Sequence, residues 1–113
     1  MQFNTVVTNG CFDILHFGHI SLLKECSNLG KKVIVGLNSD LSVKKLKGES
    51  RPIQREIIRA KELLQLKYVS HVTIFDDLTP QKLVHKISPD VLVKGGDYKK
   101  NEREKANWNQ IRW

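Results

Sequence analysis

In the stretch GCFDILHFGHISLL, Gly10 to Leu23, two imidazoles stand three positions apart with a glycine between them, and a carboxylate precedes them at Asp13. Several chemistries could use such a set. Zinc sites on helices often take histidines at i and i+4 with an acidic ligand nearby. His16 and His19 are at i and i+3, which departs from that pattern. A nucleophilic cysteine needs a positioned base and an orienting third group, and Cys11 has no such signature around it. Two polar residues at the start of a helix are the plainest structural reading, and Asp13 could cap that start. A phosphate cradle explains more residues at once. Gly10 permits a tight turn, so that the amides of Cys11 and Phe12 face an anion. The helix that follows adds its positive N-terminal end. Gly18 leaves room for a ligand between the rings, and His16 and His19 donate hydrogen bonds to phosphate oxygens.

Hydrophobic periodicity supplies the elements that must position this set. Thr5–Thr8 is a short β-branched run closed by Asn9-Gly10, the pattern of a buried strand. Ile20, Leu23, Cys26 and Leu29 recur every third residue, which predicts an amphipathic helix from Gly18 to Leu29, stopped by Gly30. Val33–Leu37 is a second strand, followed by a polar loop at Asn38-Ser39-Asp40. A second helical pattern after Pro52 carries Ile57, Ala60, Leu63 and Leu64 on its inner side. His71–Phe75 is a third strand. Thr79-Pro80 predicts a helix start whose inner face is Leu83, Val84 and Ile87, and Val91–Val93 is a fourth strand.

Strands alternating with helices predict a doubly wound parallel sheet in an α/β domain. Ligands of such sheets bind beyond the carboxyl ends of the strands. The candidate residues collect there: Asn9–Asp13, Asn38–Asp40, Phe75–Asp77 and Lys94–Tyr98 each follow a strand.

The chain has 113 residues, enough for one domain with one modest core. No apolar run approaches the ~18 residues of a membrane span, and the N-terminus lacks the pattern of a signal peptide. Cys11 and Cys26 match no zinc spacing and read as reduced packing residues of a cytoplasmic protein. The net charge of +7 implies an anionic partner. Nucleic-acid binders interleave aromatics with spread basic residues, whereas Lys44–Arg59 is a local basic cluster with no aromatic residue. A phosphorylated small molecule therefore fits better than nucleic acid.

The stretch from Gly10 to His19 matches the form GxFDxxHxGH and resembles the HxGH nucleotidyltransferase superfamily, which includes cytidylyltransferases, pantetheine-phosphate adenylyltransferase and class I aminoacyl-tRNA synthetases. Further stretches, GLNSDLSVKKLKGESRPI, RAKELLQLKYVSHVTIFDDLTP and SPDVLVKGGDY, are similar to adenylyltransferases acting on D-glycero-D-manno-heptose 1-phosphate, and more loosely to glycerol-3-phosphate cytidylyltransferase. The resemblance implies a Rossmann-like (HUP-type) nucleotidyltransferase domain over residues 1–113. It implies transfer of AMP from ATP to a sugar 1-phosphate with release of pyrophosphate. The alternatives are a cytidylyltransferase acting on a polyol phosphate and a nucleotide-binding relative without efficient catalysis. His16, His19 and Lys47 would be catalytic; Gly10, Cys11, Phe12, Asp13, Gly18, Gly95, Gly96 and Asp97 would bind the nucleotide; Lys45 and Arg55 would bind the substrate. Magnesium would bridge triphosphate oxygens while keeping much of its water shell, so few protein ligands are expected. A homodimer is implied by the same resemblance.

Such families usually continue after the Gly-Gly-Asp loop into another strand and a Ser/Thr-rich turn. The tail here, from Lys99 to Trp113, is polar with Trp108, Ile111 and Trp113 as its large apolar groups. It reads as a short helix or a partner contact, with the additional strand and the Ser/Thr turn expected to be missing.

Overall fold

The computed structural model describes residues 3–94 and the pair 111–112. The elements run β1 (Phe3–Gly10), α1 (Phe17–Leu29), β2 (Gly30–Asn38), α2 (Asp40–Lys47), α3 (Glu56–Leu64), β3 (His71–Phe75), α4 (Gln81–Ile87), β4 (Val91–Val93) and β5 (Ile111–Arg112). The strands form one sheet in the order β3-β2-β1-β4-β5, and every neighbouring pair is parallel. β1 is central, with Val6 opposite both Val33 and Val91. Because β1 connects to β2 on one side and pairs with β4 on the other, the strand order reverses there. That is where such a sheet leaves a crevice for a ligand.

Side-chain alternation along β1 separates two cores. Val6 joins Leu23 and Cys26 of α1, Leu63 of α3 and Val33, Val35, Val91 and Val93 on one face. Val7 joins Leu92 and Val84 on the other, under α4. The doubly wound α/β architecture expected from the sequence is therefore present. Each buried aliphatic side chain of this kind contributes about 1.5–3 kcal/mol. Among the described residues, no helix is long and apolar enough to cross a membrane.

Four local expectations differ from the structure. The stretch expected to be a polar loop, Asn38-Ser39-Asp40, is instead the junction of β2 and α2: Asn38 ends the strand, Ser39 caps the helix with its hydroxyl accepting from the Ser42 amide, and Asp40 is the first helical residue. On α3 the buried residues are Arg59 and Leu63, while Ile57 and Leu64 are exposed. Pro80, not Thr79, is the N-cap of α4, without a side-chain capping bond. In the tail, Ile111–Arg112 is a strand beside β4, where a helix or a partner contact was expected and no further strand.

Candidate active site

Beyond Gly10 the chain makes a tight left-handed passage, with φ of +46° at Phe12 and +67° at Ile14. For a β-branched residue this conformation costs about 1–3 kcal/mol and persists only where the surroundings fix it. The fixing contacts come from the distant segment 51–54. Asp13 accepts from the amides of Ile53 (2.7 Å) and Gln54 (2.9 Å) and from Nη1 of Arg51 (3.3 Å). The Gln54 side chain accepts from the Ile14 amide at 3.2 Å. Burial alone would raise the Asp13 carboxyl, but the two amides and the Arg51 guanidinium outweigh it and hold its pKa below the ordinary 3.8. Asp13 therefore does not cap α1; it ties the two segments together.

His16 is the cap. Its backbone is extended (φ −141°, ψ −178°), and its Nδ1 accepts from the Gly18 amide at 3.0 Å. The Nδ1 of His19 accepts in turn from the His16 amide at 3.4 Å, completing a reciprocal capping box built from two imidazoles. The rings stack with centroids 3.9 Å apart and an interplanar angle of 25°, and Phe12 lies 5.1 Å from His19 on its other side. Each Nδ1 is an acceptor, so in the neutral ring the proton is assigned to Nε2. The local fold thus orients two N–H donors at the start of a helix.

The glycines act differently from expectation. A Cβ at Gly18 would lie 2.9 Å from Cε1 of His16, so this glycine makes room for the His16 ring and the cap, not for a ligand between rings that already stack. A Cβ at Gly10 would lie 3.0 Å from the Phe12 ring; the left-handed positions belong to Phe12 and Ile14 instead.

Arg59 is the keystone beneath this surface. It is fully buried, yet it hydrogen-bonds the carbonyls of Cys11 (2.8 Å), Asn38 (2.7 Å) and Gln54 (2.9 Å) and pairs with Asp40 at 2.7 Å. It therefore joins the ends of β1 and β2 to the α2–α3 connection. Asn38 and Ser42 continue the network to the Asp77 carbonyl, which brings the connection after β3 alongside.

These elements enclose a cleft of about 1230 Å³ at the carboxyl ends of the strands. Its walls include Gly10, Cys11, Phe12, Asp13, His16, Gly18, His19 and Lys47 among the expected site residues. Lys45 is exposed on α2, and Arg55 is the exposed N-cap residue of α3; neither lines the cleft. Gly95, Gly96 and Asp97 lie outside the described residues. Arg51 lines the cleft without being among the expected site residues, although it stands inside the stretch KGESRP that carries the resemblance, and Lys94, the first residue of the candidate stretch Lys94–Tyr98, lines it too. Arg59 offered one signal only: an arginine four positions before Leu63, on the helix face that should be apolar. Cys26 is buried packing, its thiol pushed up to about 12 by burial.

Both Asp13 oxygens and both histidine Nδ1 atoms are engaged, and no cluster of three His, Cys, Asp or Glu suited to a metal occurs among the described residues.

The fold is a parallel α/β domain with a histidine-capped helix at its switch point, and the chain belongs to the cytidylyltransferase-like family, whose sequence profile matches residues 7–112. It is 58% identical over 94 residues, 83% of its length, to the bifunctional protein HldE of Campylobacter jejuni subsp. doylei. It is also 58% identical over 97 residues, 86% of its length, to the bifunctional protein HldE of Campylobacter concisus. The chain spans about a fifth of the length of these curated relatives, 20% and 21%. A crystal structure of the lipopolysaccharide core biosynthesis protein from Thermoplasma volcanium superposes with a TM-score of 0.79 at 30% identity, covering 97% of this chain and 95% of that one.

Proposed function

We propose that this domain transfers a nucleotidyl group from a nucleoside triphosphate to the phosphate of a sugar phosphate, with release of pyrophosphate. The observation that carries this reading is the imidazole pair: His16 and His19, each with Nδ1 held by a backbone amide, stand at a helix N-terminus on a cleft that Lys47, Arg51 and Lys94 also line. A phosphate oxygen of the acceptor attacks the α-phosphorus. The bond from that phosphorus to the oxygen bridging the β-phosphorus breaks, and pyrophosphate leaves with the electron pair. A phosphate monoester is already an anionic nucleophile near pH 7, so no covalent intermediate is required. The protein holds two polyanions together and neutralises the charge on the transferring group. A magnesium ion brought in with the triphosphate would supply further charge neutralisation beside the basic side chains of the cleft.

Within this class we favour AMP transfer from ATP to heptose 1-phosphate. The names of the relatives and of the structural neighbour, with the stretches KGESRP and VKGGDY, support that choice. Transfer from CTP to glycerol 3-phosphate is the second reading, favoured by the match to the cytidylyltransferase-like family. Nucleotide binding without efficient transfer is the third. A coupled pyrophosphate assay across ATP and CTP, with heptose 1-phosphate and glycerol 3-phosphate as acceptors, separates them. Release with ATP and the heptose only is the expected result; release with CTP and glycerol 3-phosphate would transfer the assignment. Tight nucleotide binding with no release from any pair would leave a binding domain.

The same proposal places the domain in the cytoplasm, where triphosphates are supplied, as a homodimer. Ile57, Ile58 and Leu64 of α3 are all exposed, an apolar stripe that a second subunit could cover.

A further inference from the structure

The wall of the cleft that follows β2 differs from the rest. It places Lys47, the last residue of α2, and Arg51 beside two exposed aliphatic side chains, Leu46 and Ile53. Lys94 stands on the other side, at the end of β4, with β1 and the histidines it leads to between them. In phosphoryl and nucleotidyl displacement the attacking and leaving oxygens lie roughly in line on opposite sides of the phosphorus. Two anionic groups must therefore sit on opposite sides of the groups that hold the transferring phosphate. The two basic walls match that demand.

We infer that Arg51 is the residue that reads the acceptor's phosphate monoester, with Lys47 beside it, an assignment that rests on the transfer reaction proposed above. Three observations support it. The Arg51 side chain is 41% exposed, although one of its nitrogens is tethered to Asp13, which is only 4% exposed. A guanidinium has five N–H donors in a planar fork suited to two phosphate oxygens at once, and the Asp13 pairing uses one nitrogen. The tether is also the longest of the three bonds to Asp13, at 3.3 Å against 2.7 Å and 2.9 Å from the amides. A phosphate can draw the guanidinium forward while Asp13 stays satisfied by the backbone. Leu46 and Ile53 then face the carbon skeleton of the acceptor, which a triphosphate chain does not present.

The test is a set of steady-state measurements on the whole chain. Arg51→Ala is expected to raise KM for the acceptor at least ~10-fold with KM for the triphosphate within about twofold, by loss of a bidentate charge-assisted contact. Arg51→Lys, which keeps the charge and removes the fork, is expected to recover only part of the loss. Lys44→Ala, which removes an exposed charge from α2 away from the cleft, is expected to change neither constant. An unchanged acceptor KM in Arg51→Ala, or an equal rise in both constants, would overturn the assignment. Should the wild-type chain transfer nothing, the reaction proposed above fails by itself, and binding of inorganic phosphate decides this inference separately. Titration should then show at least ~10-fold weaker phosphate binding by Arg51→Ala than by Lys44→Ala, and equal binding would refute it.

Discussion

The start of α1 and the connection between α2 and α3 line one cleft but are held in opposite ways. At the start of α1 the capping bonds are local: the His16 and His19 rings accept amides two and three residues away. The 51–54 segment is held by partners 38 to 41 residues distant, Asp13 and Ile14, and by Arg59 from below. Donors built locally keep their geometry as long as the helix exists. Donors borrowed across the chain depend on the keystone that brings the two segments together.

The sharpest test of that contrast is Arg59→Ala. It leaves three carbonyls and Asp40 without their buried partner and should destabilise the domain by about 3–5 kcal/mol in urea unfolding. A loss below ~1 kcal/mol would mean that the α2–α3 connection is held by other contacts.

Next in size, His16→Ala or His19→Ala should reduce nucleotidyl transfer by at least ~10²-fold, as expected for removing a preorganised donor. The accompanying loss of stability should be only about 1 kcal/mol, the value of a helix cap. The two substitutions thus separate catalysis from folding, which Arg59→Ala cannot do.

Gly18→Ala should follow with a milder effect. Its new methyl group meets the His16 ring, so transfer should fall roughly 10-fold, while stability should remain within ~1 kcal/mol because alanine favours a helix. Unchanged turnover would show that the His16 ring need not keep its capped position.

The smallest effect concerns acid. The folded pKa of Asp13 is lowered, so its contribution to stability is complete above the ordinary value of 3.8 and is lost as the pH falls below it through the folded value. Asp13→Asn should flatten that acidic part of the unfolding profile and leave the slope above pH 5 unaltered. An unchanged acid limb would show that the carboxylate does not bind the 51–54 segment in solution.

The same division explains what could be read from the sequence. The strands were legible because their β-branched runs are buried on both sides of a parallel sheet. The histidine pair was legible because its structure is made within four residues. α2 was missed because Ser39 and Asp40 look like loop residues until the hydroxyl of Ser39 is seen to accept an amide of the helix it starts. Arg59 was missed because a charge on an inward helix face contradicts the apolar pattern, and only the tertiary arrangement supplies its four partners. Lys45 and Arg55 rest on likeness alone, and neither lines the cleft that Lys47, on the same helix as Lys45, does line. Arg51 was passed over because nothing local shows that Asp13, 38 residues earlier, holds it there.

The cleft is proposed to seat a triphosphate against the Nε2–H donors of His16 and His19. Nitrogen-15 NMR of the imidazoles, recorded with and without a magnesium–nucleoside triphosphate, tests it most directly. His16 and His19 are both expected to carry the proton on Nε2, and both Nε2 signals are expected to move on saturation with the triphosphate, while His71 and His85 remain still. Protons on Nδ1, or Nε2 signals indifferent to the nucleotide, would contradict it.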